Sequence, residues 1–165
     1  MIKPILLLGD EALYDTSLPV DEGENIEELI ADLHDTLLDW REKNHAGRAI
    51  AAPQIGVMKR VIYMHIDEPV VFINPRLEFP TAEMIELWDD CMSLPGLYVK
   101  VRRYNECRVH FTDMNGEKQT FYLQGSLSEL IQHEYDHLDG ILFIDRVSPV
   151  KRKRALAHYG RMLNM

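Results

Sequence analysis

Apolar residues recur along the chain at two periods, and the changes of period divide it into elements. Over 26–44, Ile26, Leu29, Ile30, Leu33, Leu37 and Trp40 fall three or four residues apart, the spacing of one helix face. Acidic residues lead this stretch and Arg41 and Lys43 close it, the order that a helix dipole favours, so a long amphipathic first helix is predicted. "RVIYMHI" (60–66) and "PVVFINP" (69–75) are rich in β-branched and aromatic residues and read as strands. "ECRVHFTDMNGEKQTFYL" (106–123) predicts a hairpin, with Asn115-Gly116 supplying the positive φ angles of a tight turn. A second helix is expected over about 126–138. A third begins near Ser148-Pro149, an N-cap followed by a proline in the first turn, and runs to the end. Strands set between helices, with hairpins rather than regular βαβ alternation, predict an α+β fold: mixed or antiparallel sheets around the second helix, with a long N-terminal helix and a C-terminal one.

Composition narrows the organisation. A chain of 165 residues with 46% hydrophobic content fills one core and is too short for two ordinary domains, so residues 1–165 are expected to form one domain. No run of 18 apolar residues occurs, and the opening "MIKPILLLGDE" is too short in its apolar part and too weakly basic for a secretory signal. The expected setting is cytoplasmic, with no membrane partner. The net charge of −9 argues against nucleic-acid binding by the surface as a whole. The charge is uneven, however: from Arg146 onward there are six Lys and Arg and no Asp or Glu. Only two cysteines occur, Cys91 and Cys107, and a chain of this size in a reducing compartment does not need them as a bridge.

Candidate chemistry centres on "IQHEYDHLDG" (131–140). On a helix each residue advances about 100°, so His133 and His137 project within roughly 40° of each other and suit one metal ion, while Glu134 at the edge of that face suits a general base. Two histidines do not complete a site. Downstream, Asp139 and Asp145 are too close along the chain, and His158 belongs to a helix with a solvated face of its own. Upstream, "WDDCMSLPG" (88–96) sets Cys91 between two aspartates and a Ser-Leu-Pro-Gly turn, an unusual setting for a cysteine kept as a small hydrophobe. Two imidazoles, a thiolate and an open position make a catalytic metal site. Cys107 alternates with Val109 and Phe111 and reads as core. Asp136 is a candidate to orient a ligand histidine or a nearby cation from outside the ligand set.

These residues carry a resemblance. "GRAIAAPQ" (47–54), "DDCMS" (89–93) and "HEYDH" (133–137) follow, in order, the motifs G-x-G-x-A-A-x-Q, E-G-C-x-S and H-E-x-D-H of peptide deformylase, and the likeness extends over nearly the whole chain. The resemblance implies a metallohydrolase acting on the C–N bond of linear amides, which removes the N-formyl group from formyl-methionyl or related peptides and releases formate. It implies Cys91, His133 and His137 as ligands of one divalent metal, natively Fe2+, with Zn2+, Ni2+ or Co2+ also accepted. It implies Glu134 as general base and acid, and Gln54 and the backbone N–H of Met92 as donors to the developing oxyanion. The first side chain of the substrate is expected against Gly47, Arg48, Ala49, Asp90, Ser126, Glu129 and Leu130, and an Arg48–Glu129 pair across the mouth would leave Leu87 and Leu130 as an apolar floor. Asp89, paired with Arg103, would hold the cysteine loop.

Several positions depart from the family pattern. Asp89-Asp90 stands for the usual Glu-Gly, Ala49 for the second glycine of the first motif, and Arg48, Ser126 and Glu129 replace apolar pocket residues. The departures favour polar first residues more than is usual. Two further readings stay open: a metallopeptidase on the same helix with a third ligand other than Cys91, and a metal-binding or redox-sensing homologue with altered substrate or no turnover. In the last helix, Lys151, Arg154, His158 and Arg161 share one face and Leu156, Tyr159 and Leu163 another. The apolar face is expected to dock, and the basic one, in a family that acts on nascent chains, to meet ribosomal RNA.

Overall fold

A computed structural model describes residues 1–164. Helix α1 (Glu27–Asn44) is followed by strands β1 (Ala49–Ala51), β2 (Val61–His65), β3 (Pro69–Glu78), β4 (Met84–Cys91), β5 (Leu94–Tyr104), β6 (Glu106–Thr112) and β7 (Lys118–Gln124), then by helices α2 (Ser126–Leu138) and α3 (Pro149–Leu163). Five strands form an antiparallel sheet in the order β1-β2-β3-β6-β7, and β4 and β5 form a separate antiparallel hairpin. The fold is α+β, with α2 between the sheet and the hairpin and every ladder antiparallel among the described residues.

Three apolar clusters hold these layers. Leu130, Ile131 and Leu138 of α2 pack against Phe72, Cys107, Val109 and Phe111 of the sheet. Leu33 and Leu37 of α1 pack with Ile50, Val61, Tyr63 and Met92. The hairpin's Leu97, Val99 and Val101 pack with Phe143, Ile144 and Tyr159. Alternation decides the sides: Ala49 and Ala51 of β1 face the first cluster and Ile50 between them faces the second. No helix among the described residues is long and apolar enough to cross a membrane.

Four local expectations are revised. Of Asn115-Gly116 only Gly116 takes a positive φ, 78°. The connection is a five-residue loop rather than a two-residue one, closed by Asp113 Oδ1, which accepts from the N–H groups of Asn115 and Glu117 at 2.9 Å. The Ser-Leu-Pro-Gly turn is displaced. Leu94 is fully buried and pairs with Cys91, so the turn is Met92-Ser93 and Pro95-Gly96 lie in β5. The β4–β5 hairpin itself was not anticipated as a pair of strands. In α3, Tyr159 is buried and Ala155 and Leu156 pack in the same cluster, but Leu163 is 68% exposed and does not dock.

Candidate active site

Cys91 owes its position to an irregularity in the hairpin. From Met84 to Asp89 the strands pair residue for residue, yet Asp89 faces Val99 while Cys91 faces Leu94, so β5 carries extra residues around Pro95-Gly96. A bulge of this kind bends a strand and re-aims its side chains. By the alternation of β4, Asp89 and Cys91 both point inward and are buried, and Asp90 between them is exposed.

On α2 the helical repeat brings His133 and His137 edge to face, with ring centroids 5.2 Å apart. One donor atom each from Cys91, His133 and His137 lies within 4.8 Å of the others, and the Cys91 Sγ to His137 Nε2 distance is 3.4 Å. All three residues are buried. His133 Nδ1 donates to the Asp89 carboxylate at 3.0 Å, since a carboxylate can only accept, and in the neutral ring this puts the lone pair on Nε2. Asp89 is also held by Arg103 Nη2 at 3.2 Å. Burial works against charge on Asp89, but His133 and Arg103 together hold its carboxyl well below the usual carboxylate range. Burial likewise opposes charge on His133, and the Asp89 carboxylate outweighs it and raises the imidazole pKa. His137 has no such partner. Burial, with the neighbouring His133 charge, lowers its pKa, and its Nδ1 is buried without a hydrogen bond.

Asp136 does not reach a ligand histidine. Its partners are cations, the other alternative expected for it: it bridges two arginines, Arg103 at 2.7 Å and Arg146 at 2.7 and 3.0 Å. Its part is to fix Arg103, which in turn fixes Asp89. Gln54 is 1% exposed and oriented by its own backbone neighbour, the Ala51 N–H, which donates to Oε1 at 3.0 Å. Its amide nitrogen therefore faces the cysteine turn, 3.7 Å from Cys91 Sγ and 3.4 Å from Ser93 Oγ. Glu134 is buried, one of its oxygens has no partner, and burial pushes its carboxyl up to about 7.

A cleft of about 270 Å³ opens beside these groups. Gly47, Arg48, Ala49, Asp90, Glu129 and Leu130 all line it, with Trp40 and Met92 as further apolar walls. A side chain at Gly47 would collide there, since a Cβ would sit 3.1 Å from Trp40 Cδ1 and 3.4 Å from Met92 Cε at a φ of 126°. Arg48 Nη2 lies 3.7 Å from Glu129 Oε2 across the mouth. Burial, and the charge of Asp89 beside it, push the Glu129 carboxyl above its ordinary range.

Two expected pocket residues fall elsewhere. Ser126 is exposed and outside the cleft: it opens α2 two turns before His133, about 10 Å along the axis. Leu87 is half-buried on β4 and does not reach the floor, which Leu130 shares with Trp40 and Met92. Sequence reasoning assigned Trp40 only to the apolar face of α1, passed over Ser93 within its own motif, and had no local signal for Arg146, whose partner Asp136 lies ten residues away.

The geometry has counterparts in known proteins. A family model described as polypeptide deformylase matches residues 2–153. A peptide deformylase of Cellvibrio japonicus is 38% identical over 158 residues, covering 93% of this chain and 90% of that protein. One of Rhizobium meliloti is 34% identical, covering 96% and 92%. Among solved structures, the peptide deformylase of Thermus thermophilus superposes with a TM-score of 0.89 at 33% identity, over 99% of this chain and 96% of that one. The enzyme of Synechococcus elongatus in complex with actinonin gives 0.82 at 32% identity, over 97% and 88%. The chain belongs to the polypeptide deformylase family.

Proposed function

We propose that residues 1–165 act as one catalytic domain that hydrolyses the formyl amide of N-formyl peptides, formyl-methionyl peptides among them, with Cys91, His133 and His137 holding one divalent ion. The observation that carries this reading is the convergence of a thiol and two imidazoles within 4.8 Å, all buried, next to a glutamate with an unpartnered oxygen. The donor set fits a borderline-soft cation, and ferrous iron is the proposed native ion, with zinc, nickel or cobalt as substitutes. Such an ion supplies Lewis acidity, lowering the pKa of a water and polarising a carbonyl.

The chain's own groups do the rest. Gln54, anchored through Ala51, donates its amide N–H to the substrate's carbonyl oxygen, and the Met92 N–H, next to Cys91 in the turn, donates to the same oxygen as charge develops on it. Glu134 takes a proton from the attacking water and returns it to the leaving amine. Asp89 holds His133 in one tautomer, with Arg103 behind it. The Arg48 cation and the Glu129 carboxyl beside it keep polar groups at the mouth, so a polar first side chain meets partners there while methionine loses part of the about 1.5–3 kcal/mol that full burial provides.

The proposed setting is the cytoplasm and the proposed substrates are nascent chains, with ribosomal RNA meeting the basic face of α3. Co-sedimentation with ribosomes should weaken when residues 151–165 are deleted; unchanged sedimentation would remove that partner. The central test is formate release by metal-loaded protein from formylated peptides, alongside Cys91→Ser. The deformylase reading requires turnover in the parent and loss of metal in the variant. A Cys91→Ser protein that keeps its ion would favour a metallopeptidase with another third ligand.

A further inference from the structure

Away from the cleft, a groove of about 400 Å³ runs between the β4–β5 hairpin and α3. Two large aromatic side chains stand at it with little cover: Trp88 is 66% exposed and Tyr98 62%. They share one face of the hairpin, because Trp88 pairs with Lys100 and Tyr98 lies two residues from Lys100 on the same strand. Such diagonal neighbours sit about 7–8 Å apart. Around them the charged lining consists of Lys100, Lys151 and Arg154, with His158 beside and no carboxylate, in a chain whose net charge is −9. Lys100 Nζ lies 5.4 Å from the centre of the Trp88 ring.

We infer that this surface binds single-stranded RNA, with unpaired bases stacking on Trp88 and Tyr98 and the phosphates running along Lys100, Lys151 and Arg154. A solvated cationic helix would account for the charge alone. It does not account for two exposed aromatics at the same groove, which are costly in water and have the shape that bases require. An acidic peptide would satisfy the lysines and leave the rings unused, and a duplex would offer phosphates with its bases hidden. The inference deepens the reading of α3 as an RNA-facing helix and rests on it; ribosome co-sedimentation tests that reading, and the assay below tests the stacking.

The experiment measures fluorescence anisotropy of a labelled ten-nucleotide RNA, as single strand and as duplex, against salt, with heparin as competitor. Trp88→Ala and Tyr98→Ala are each expected to weaken single-strand binding roughly tenfold while leaving the salt slope unchanged. The double variant Lys151→Ala/Arg154→Ala is expected to flatten that slope by about 1.4, two phosphate contacts' worth. Duplex or heparin binding as tightly as the single strand, aromatic variants that bind like the parent, or no binding at all would each overturn the proposal. Formate release, read on the same proteins, should be unaltered in all three variants. A parent that binds RNA and releases no formate would sink the proposed hydrolysis and leave the RNA surface standing, and the reverse result would separate them the other way.

Discussion

α1 runs for 18 residues and buries three side chains fully, Leu33, Thr36 and Leu37, whereas α2 runs for 13 and buries ten. Seven of those ten are polar: Ser128, Glu129, Gln132, His133, Glu134, Asp136 and His137. An unpartnered buried polar group costs about 1–3 kcal/mol, so α2 is stable only because the sheet and the hairpin answer most of its side chains. Ser128 and Gln132 bond to the backbone of Tyr104, His133 to Asp89, and Asp136 to Arg103 and Arg146. The atoms left over are Glu129 Oε1, Glu134 Oε2 and His137 Nδ1. Two of these three residues sit in the cleft and the third lies against Cys91. α1 is shaped by solvent and core; α2 is shaped by partners it has and partners it awaits.

The sharpest test of that contrast is Glu134→Ala. It should lower kcat/KM for a formyl peptide by about 10³-fold or more, the scale of a lost general acid and base, while elemental analysis still finds one ion per chain. An empty site in that variant would show that Glu134 holds the metal rather than the proton.

Next in size, Asp136→Ala should destabilise the fold by about 3 kcal/mol in urea denaturation, since it leaves Arg103 buried with a missing partner; Arg146 is half-exposed and rehydrates. A change under about 1 kcal/mol would mean that the bridge is dispensable. The substrate pocket should show a smaller effect. Formyl-Met peptides are expected to be preferred over formyl-Gln and formyl-Lys counterparts by less than about a hundredfold in kcat/KM, because larger discrimination needs nearly 3 kcal/mol of selective apolar contact. At the other extreme, Glu42→Gln on the exposed face of α1 should change stability by less than about 0.5 kcal/mol, where an equivalent change on α2 is felt.

The same contrast explains what was legible from residues alone. α1 and the hairpin of β6 and β7 follow periods of 3.6 and 2 and were readable from hydrophobicity. The pair β4–β5 was not, although Leu97, Val99 and Val101 alternate inward, because Asp89 and Arg103 also point inward and Pro95-Gly96 interrupts the run. Those inward charges have partners on another element, which no local window contains. For α2, periodicity gave the helix and the H-E-x-x-H spacing gave its chemical face. The cleft side was legible only in part: Arg48 and Glu129 were readable as a pair, while Ser126 and Leu87 were misplaced, since distance along a helix and reach from a strand depend on how the layers stack.

The three metal-ligand candidates do not belong to one packed body. Cys91 sits in the apolar cluster of the hairpin and α3, His133 and His137 on a helix packed against the sheet, and Arg103 with its two aspartates ties the two across their shared seam. A fluctuation that parts this seam separates sulfur from imidazole while leaving both cores intact. Release of a bound ion would then need only a partial opening, cheaper than global unfolding, and is expected to run ahead of loss of the whole fold.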